Sequence, residues 1–455
     1  MEMESVALGT PLTFARSSPQ ETMDSNIKAL MAPVSASWWR RISEPSVLLM
    51  GFFILLHLIQ LIRILPLLNR IPVYLSLGCV SLIPIALSLR NISRWSRFSM
   101  VDIAWGVYLL VSLGSVVLFL QPSNPSHPES FAYGLYYFVL PMTVYSATKD
   151  LKGRQMQRLL DLVLRLNLFM AAFSLVLLWL RPAMYTDYLE NMVLSGYTEY
   201  DIEAFYTRLQ GYLGSTGTGI TVACTIVLLG MSRRGPLFLT IGIVLCLIVA
   251  VLTYQRGTMA GSLLAVVFTV GARSRSLVGV FVILGVAALF YFIGVFVIDE
   301  VGRFSAEDYY DRLFLEGRYM LEGRGYGRGW RYITAFPFGV GLGGASSAAD
   351  AAGLLSWGQV VDANFMRILV ELGLPGLFAY LFVIGAAGIS AIRSKTGWGW
   401  ICILLIYSGI MMGTNTLDSY YVSHCFWLYL AVINGESKPP AQDVNGRHAL
   451  ALGHK

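Results

Sequence analysis

The sequence predicts an all-α, polytopic membrane protein, and three observations carry that prediction. Hydrophobic residues make up 56% of the 455 and charged residues only 13%, which places the chain outside ordinary soluble composition. Mean hydropathy is +0.62. Apolar runs of about 20 residues, the length a helix needs to cross the hydrocarbon, recur from residue 45 to residue 434.

In chain order the runs predict about twelve transmembrane helices, at 45–66, 72–89, 101–121, 131–147, 157–181, 211–231, 236–253, 257–272, 276–298, 364–392, 397–415 and 420–434. Orientation follows from the short polar turns between them, because Lys and Arg concentrate on the cytoplasmic side. One alternate set holds Lys28, Arg40 and Arg41; Arg90, Arg94 and Arg97; Lys149, Lys152, Arg154 and Arg158; Arg233 and Arg234; Arg273 and Arg275; and Arg393 and Lys395. The opposite turn at 122–130 (PSNPSHPES) has no Lys or Arg, while Arg63 and Arg70 depart from the pattern. Both termini are expected on the cytoplasmic side.

The net charge of +6 is explained by this inward basic excess and calls for no nucleic acid. Residues 1–44 are polar and lack the apolar core of a signal peptide, so they read as a disordered cytoplasmic tail, and 435–455 as a second one. The five cysteines fall within expected helices without metal-ligand spacing and read as apolar filler. His57 and His424, isolated in apolar runs, read as hydrogen-bonded bundle residues.

Two outer loops remain. The first, 182–210, mixes acids (Asp187, Glu190, Glu199, Asp201, Glu203) with tyrosines, a composition suited to sugar hydroxyls or to an amphipathic segment on the bilayer. The second, 299–363, is expected to be the functional centre. Most of its alternating acids and arginines, such as Arg312, read as surface ion pairs. Arg324 and Arg328 differ, because glycine flanks each in EGRGYGRGW. Glycine allows close backbone approach, and a guanidinium binds phosphate oxygens in two parallel hydrogen bonds. Arg256, in TYQRGTMAG, lies at an outer turn against the positive-inside trend. Asp362, opening DANFMRILVELG, suits either an N-cap or a general base.

Four segments, in order and spacing, resemble the bacterial O-antigen polymerase and O-antigen ligase superfamily, Wzy-type membrane glycosyltransferases with a GT-C-like fold. They are RLQGYLGSTGTG (208–219), TYQRG (253–257), GRGWRYITAFPFGVGLGG (327–344) and DANFMRILVELGLPG (362–376). The resemblance covers 200–392 and implies a polysaccharide polymerase joining repeat units carried on undecaprenyl diphosphate at the periplasmic face of the inner membrane. It implies Arg256 and Arg328 at the leaving diphosphate, with Arg324, Arg331, Trp330 and Arg208 binding substrate and Asp362 activating the acceptor hydroxyl. No metal and no other cofactor is expected, since arginines stand where a cation would. A flippase and a chain-length co-polymerase are the implied protein partners. Ligase members place a histidine where Asp362 stands, so the acid favours a polymerase and leaves a ligase as the alternative. Gln255, where a serine is common, is expected to matter little.

A transporter or flippase of lipid-linked glycan is the reading from another class, since twelve helices with both termini inside also suit a carrier. Against it, 45–240 and 240–434 show no repeat and intrahelical charge is sparse. Asp161 and Arg165, one turn apart, read as a structural ion pair.

Overall fold

A computed structural model of the chain describes residues 44–62, 64, 73–92, 98–121, 124–151, 153–180, 185–186, 209–232, 234–253, 255–273, 332–346, 349, 353–355, 363–394, 396–412 and 419–437. These residues form helices and turns with no β-strand. The helices are α1 (Pro45–Ile62), α2 (Val73–Ile92), α3 (Met100–Gly114, continued as a 3-10 helix Ser115–Leu120), α4 (Ser130–Gly134), α5 (Leu140–Thr148), α6 (Arg154–Leu180), α7 (Gly214–Met231), α8 (Pro236–Leu252), α9 (Arg256–Arg273), α10 (Asn364–Ile392), α11 (Gly397–Met411) and α12 (Tyr420–Glu436). Six are long and apolar enough to cross a membrane: α1, α2, α3 with its extension, α6, α7 and α10. The chain is a multi-pass α-helical membrane protein. The expected helix at 276–298 lies outside the described residues, as do 1–43, 438–455 and most of 182–210 and 299–363; the tail expected from 435 is corrected to start after Glu436, where α12 ends.

Local chemistry sets the helix ends. Ser99 caps α3 in a reciprocal box, its hydroxyl accepting from the Asp102 amide at 3.1 Å while Asp102 accepts the Ser99 amide at 2.7 Å. The expected start of α7 at residue 211 is corrected to Gly214, because Gly211 (φ 56°) and Gly214 (φ 75°) turn the chain first. The helix expected at 131–147 has a π-helical turn, Leu135–Val139, between α4 and α5. Pro141 supplies no amide for the regular ladder, and a widened turn accommodates that gap.

Lipid offers no hydrophobic drive between helices, so close approach depends on small residues. A Cβ on Gly219 or Gly230 of α7 would run into Thr258 or Thr269 of α9, and Gly257 and Gly261 lie under Ile410 and Ile406 of α11. α7 and α12 are the enclosed helices: every residue of α12 from Tyr420 to Asn434 is buried.

Hydrogen bonds show which helix ends share a side of the bundle. At one end Glu44 accepts from Gln155 at 2.6 Å, Asn91 donates to the Ser146 and Ala147 carbonyls at 3.1 Å, and Trp400 donates to Glu436 at 3.0 Å. At the other, His57 meets Tyr212 at 2.8 Å, Ser81 meets Tyr420 at 2.5 Å, and the Leu209 amide donates to the Leu252 carbonyl at 2.8 Å. Successive passes from α1 to α9 therefore run in alternate directions, α4 and α5 making one pass through the π-helical turn, and α10 to α12 alternate again, with α9 and α10 both running from the second end to the first. α9 finishes at the first end, where Thr269 donates to the Ile226 carbonyl at 3.2 Å, whereas residue 332 begins at the second.

Candidate functional site

The second end of the bundle carries a glycine loop docked into a broken helix. Inside α10, Gly373 adopts φ 66° and ψ −166°, and Pro375 follows. A proline has no amide, so the Glu371 carbonyl four residues earlier loses its donor. The Gly341 amide supplies one at 2.9 Å, and the Val340 amide serves the Val370 carbonyl at 2.9 Å. In return the Leu374 amide donates to the Pro337 carbonyl at 3.1 Å. The loop thus replaces the ladder bonds that the break removes, as a helix interrupted inside a membrane protein requires.

The glycines of FPFGVGLGG make this docking possible. Gly339, Gly341 and Gly343 have φ of 91°, 97° and 86°, values that L side chains rarely adopt. A Cβ on Gly339 would strike the Glu371 carbonyl, and one on Gly343 the Ser130 carbonyl. The loop is wedged between α10 and the start of α4. The turn after α3 clasps it from outside: Asn124 donates to the Val340 carbonyl at 2.9 Å, Ser126 to the Gly344 carbonyl at 3.2 Å, and Ser115 accepts the Leu342 amide at 3.1 Å.

Beneath the loop lies a fully buried ion pair. Arg367 Nε donates to Glu371 Oε1 at 2.8 Å with both side chains at 0% exposure. The same Oε1 accepts the Ala345 amide at 3.2 Å, and the Arg367 guanidinium sits 4.8 Å from the centre of the Phe138 ring in the π-helical turn. A small apolar cluster closes over it: Tyr332, Ile333, Val340 and Ala345 from the loop side pack with Ala363, Met366, Leu369 and Val370 of α10.

A second corner joins α7, α8 and α9. Gln255, directly before Arg256, donates to Ser215 at 3.0 Å and Thr216 at 2.6 Å, and Thr258 approaches its Oε1 at 3.4 Å. Gln210 accepts the Ser215 amide at 2.9 Å. The Gln255 side chain thus ties two helix starts together, a reach serine lacks.

Arg256 is the first residue of α9 and so stands at the same end of the bundle as the glycine loop. Arg208, Arg324, Arg328, Trp330, Arg331 and Asp362 lie outside the described residues. The flanking residues are informative, because Tyr332 follows Arg331, Ala363 follows Asp362, and both belong to the apolar cluster above. The N-cap position of α10 is Ala363, which makes no side-chain hydrogen bond there.

Sequence reading missed Arg367 and Glu371. The available signal was an acid and a base four apart inside an apolar helix, on one face. It also missed Asp102, which at the first end of the bundle pairs with buried Lys149 at 2.9 Å and accepts from Tyr145 at 2.7 Å. In the sequence Lys149 reads only as a marker of orientation. Asp161 does pair with Arg165 at 2.9 Å, and Arg234 joins it. His57 and His424 are buried and hydrogen-bonded, His424 to the Tyr420 carbonyl at 2.6 Å. Cys224, Cys246, Cys402 and Cys425 are buried and Cys79 is exposed, all as free thiols. No protein-family profile matches this chain, and no curated protein matches it either.

Proposed function

We propose that this chain is a polysaccharide polymerase of the bacterial inner membrane, GT-C-like, with twelve spans, both termini cytoplasmic and the glycine-loop end facing the periplasm. It joins oligosaccharide repeat units carried on polyprenyl diphosphate. One observation supports the reading above the others: the segments running into Tyr332 and Ala363, which carry Arg331 and Asp362 at their ends, meet in one cluster at the end of the bundle where α9 begins at Arg256. The described parts of the four segments that resemble the polymerase and ligase superfamily lie at one end of the bundle, which supports the reading.

In the proposed reaction an acceptor sugar hydroxyl attacks the anomeric carbon of the donor. Asp362 takes the hydroxyl proton, the new glycosidic C–O bond forms, and the bond from the anomeric carbon to the diphosphate oxygen breaks. Its electron pair leaves with the lipid diphosphate. Arg256 and Arg328, with Arg324 and Arg331 beside them, offset that developing charge in a poorly hydrated place where such interactions are strong. Trp330 and Arg208 contact the substrate. Proton removal of this kind contributes about 10²- to 10⁴-fold in rate.

Arg256→Ala, Arg328→Ala and Asp362→Ala should each abolish long polymer in cells while the protein stays at wild-type level in the membrane, and Arg312→Ala should leave chain length unchanged. Gel analysis of extracted glycan with a membrane immunoblot checks this. Normal chains from the first three variants would remove the site assignment.

A further inference from the structure

Arg367 and Glu371 are fully buried charges at the site end of the bundle, and the proposed chemistry uses neither. Taking two charges out of water costs more than their attraction returns unless the geometry is good and the other polar atoms are satisfied; apolar residues of similar size often fill such a space at no loss of stability. Glu371 meets only part of that condition. Its Oε1 accepts from Arg367 and from the Ala345 amide, whereas its Oε2 has no hydrogen-bond partner among the described residues. Stability alone gives little reason to keep the pair.

Its placement gives a better one. Glu371 grips the loop twice, through its carbonyl to the Gly341 amide at 2.9 Å and through its side chain to the Ala345 amide at 3.2 Å. Gly341 and Ala345 bracket the last positive-φ glycine of the loop, Gly343. The next turn of α10 toward its start carries Arg367, whose amide donates to the Ala363 carbonyl at 2.8 Å, one residue after Asp362. A single short stretch of α10 therefore touches both the glycine loop and the segment bearing the general base. Resting on the polymerase reading, we propose that Glu371 and Arg367 are positioning residues: they lock the glycine loop against the start of α10, so that Tyr332 and Ala363, the sequence neighbours of Arg331 and Asp362, hold one register. Neither touches substrate.

The experiment uses the full chain in liposomes with lipid-linked oligosaccharide extracted from cells that lack this gene. It compares wild type, Glu371→Gln and the apolar double variant Arg367→Met with Glu371→Leu. Three quantities are read: the melting temperature, amide exchange of the peptide covering 336–346, and the kcat and KM for the lipid-linked donor. Glutamine keeps an acceptor for the Ala345 amide, so exchange and kcat should stay within about tenfold of wild type. The double variant should melt at or above the wild-type temperature yet exchange its loop faster and lose about a hundredfold in kcat, the scale of a 1 Å misplacement, with KM little changed. A double variant with normal kcat and a protected loop would overturn the proposal. So would Glu371→Gln that loses kcat while its loop stays protected, since that marks a chemical role. If the double variant fails to accumulate, Glu371→Ala takes its place: it removes the acceptor of the Ala345 amide, so loop exchange should rise and kcat fall together, and movement of one without the other, or of neither, overturns the proposal. A wild-type protein that makes no polymer would count against the polymerase reading itself, while loop exchange is read independently of turnover.

Discussion

Gly373 shows how much one residue of α10 decides. Its φ of 66° breaks the helix, and a Cβ there would meet the backbone of Phe338 and the Pro337 carbonyl. Gly373→Ala therefore combines a left-handed conformation, at about 1–3 kcal/mol, with a clash that moves the loop. The melting temperature of the purified variant should fall and exchange at 337–345 should rise; an unchanged pair of values would mean that the loop is not held by this break. Half of the arrangement was legible in the residues. G-L-P-G after an apolar run marks an interruption, because Pro375 lacks a donor. What replaces the donor was not legible, since Gly341 lies 30 residues earlier and no periodicity connects the two. Glu371 and Arg367 were hidden for a related reason: charge in an apolar helix draws notice near mid-membrane, whereas this pair lies within about 10 Å of the helix start.

At the scale of elements, polar clusters at the two ends hold the helices in place. Asp102 of α3, Tyr145 of α5, Lys149 just after α5 and Asn434 of α12 form one network, with Asn434 donating to Tyr145 at 2.8 Å. Removing one member leaves a buried charge, so Lys149→Met should lower stability by about 3–5 kcal/mol, while Lys149→Met with Asp102→Asn should recover most of it. Denaturation of the detergent-solubilised protein measures both, and equal stability of the single and double variants would show that the pair is not coupled. Helix existence was readable from hydropathy in these segments, because apolar runs of this length have few alternatives. Their ends were less so. The glycines at 211 and 214 delay α7, and the π-helical turn before Pro141 reflects a missing amide rather than any pattern of side chains.

At the scale of the whole molecule, the proposed chemistry belongs to one end of the bundle. The turn after α3, the glycine loop, the start of α9 and the start of α10 lie at the same side, whereas the Asp102 network and the Asp161, Arg165 and Arg234 cluster lie at the other. In the sequence, the uneven distribution of Lys and Arg between alternate turns is the signal that distinguishes the two sides. Sequence reading did not anticipate that the turn at 124–127 would clasp the glycine loop: its Asn, Ser and His read only as a polar connection. A carrier would be expected to concentrate ionisable groups midway along its helices, and the Arg367–Glu371 pair sits instead beneath the loop at one end.

The central claim is that this end of the bundle joins lipid-linked glycans without help from a metal or a nucleotide sugar. The most direct measurement is to reconstitute the purified protein in liposomes with polyprenyl-diphosphate-linked oligosaccharide and a chelator, then separate the glycans by size. A ladder spaced by whole repeat units, with release of lipid diphosphate, is the predicted result. Substrate that stays at one repeat unit, or that only changes sides of the bilayer, would contradict it.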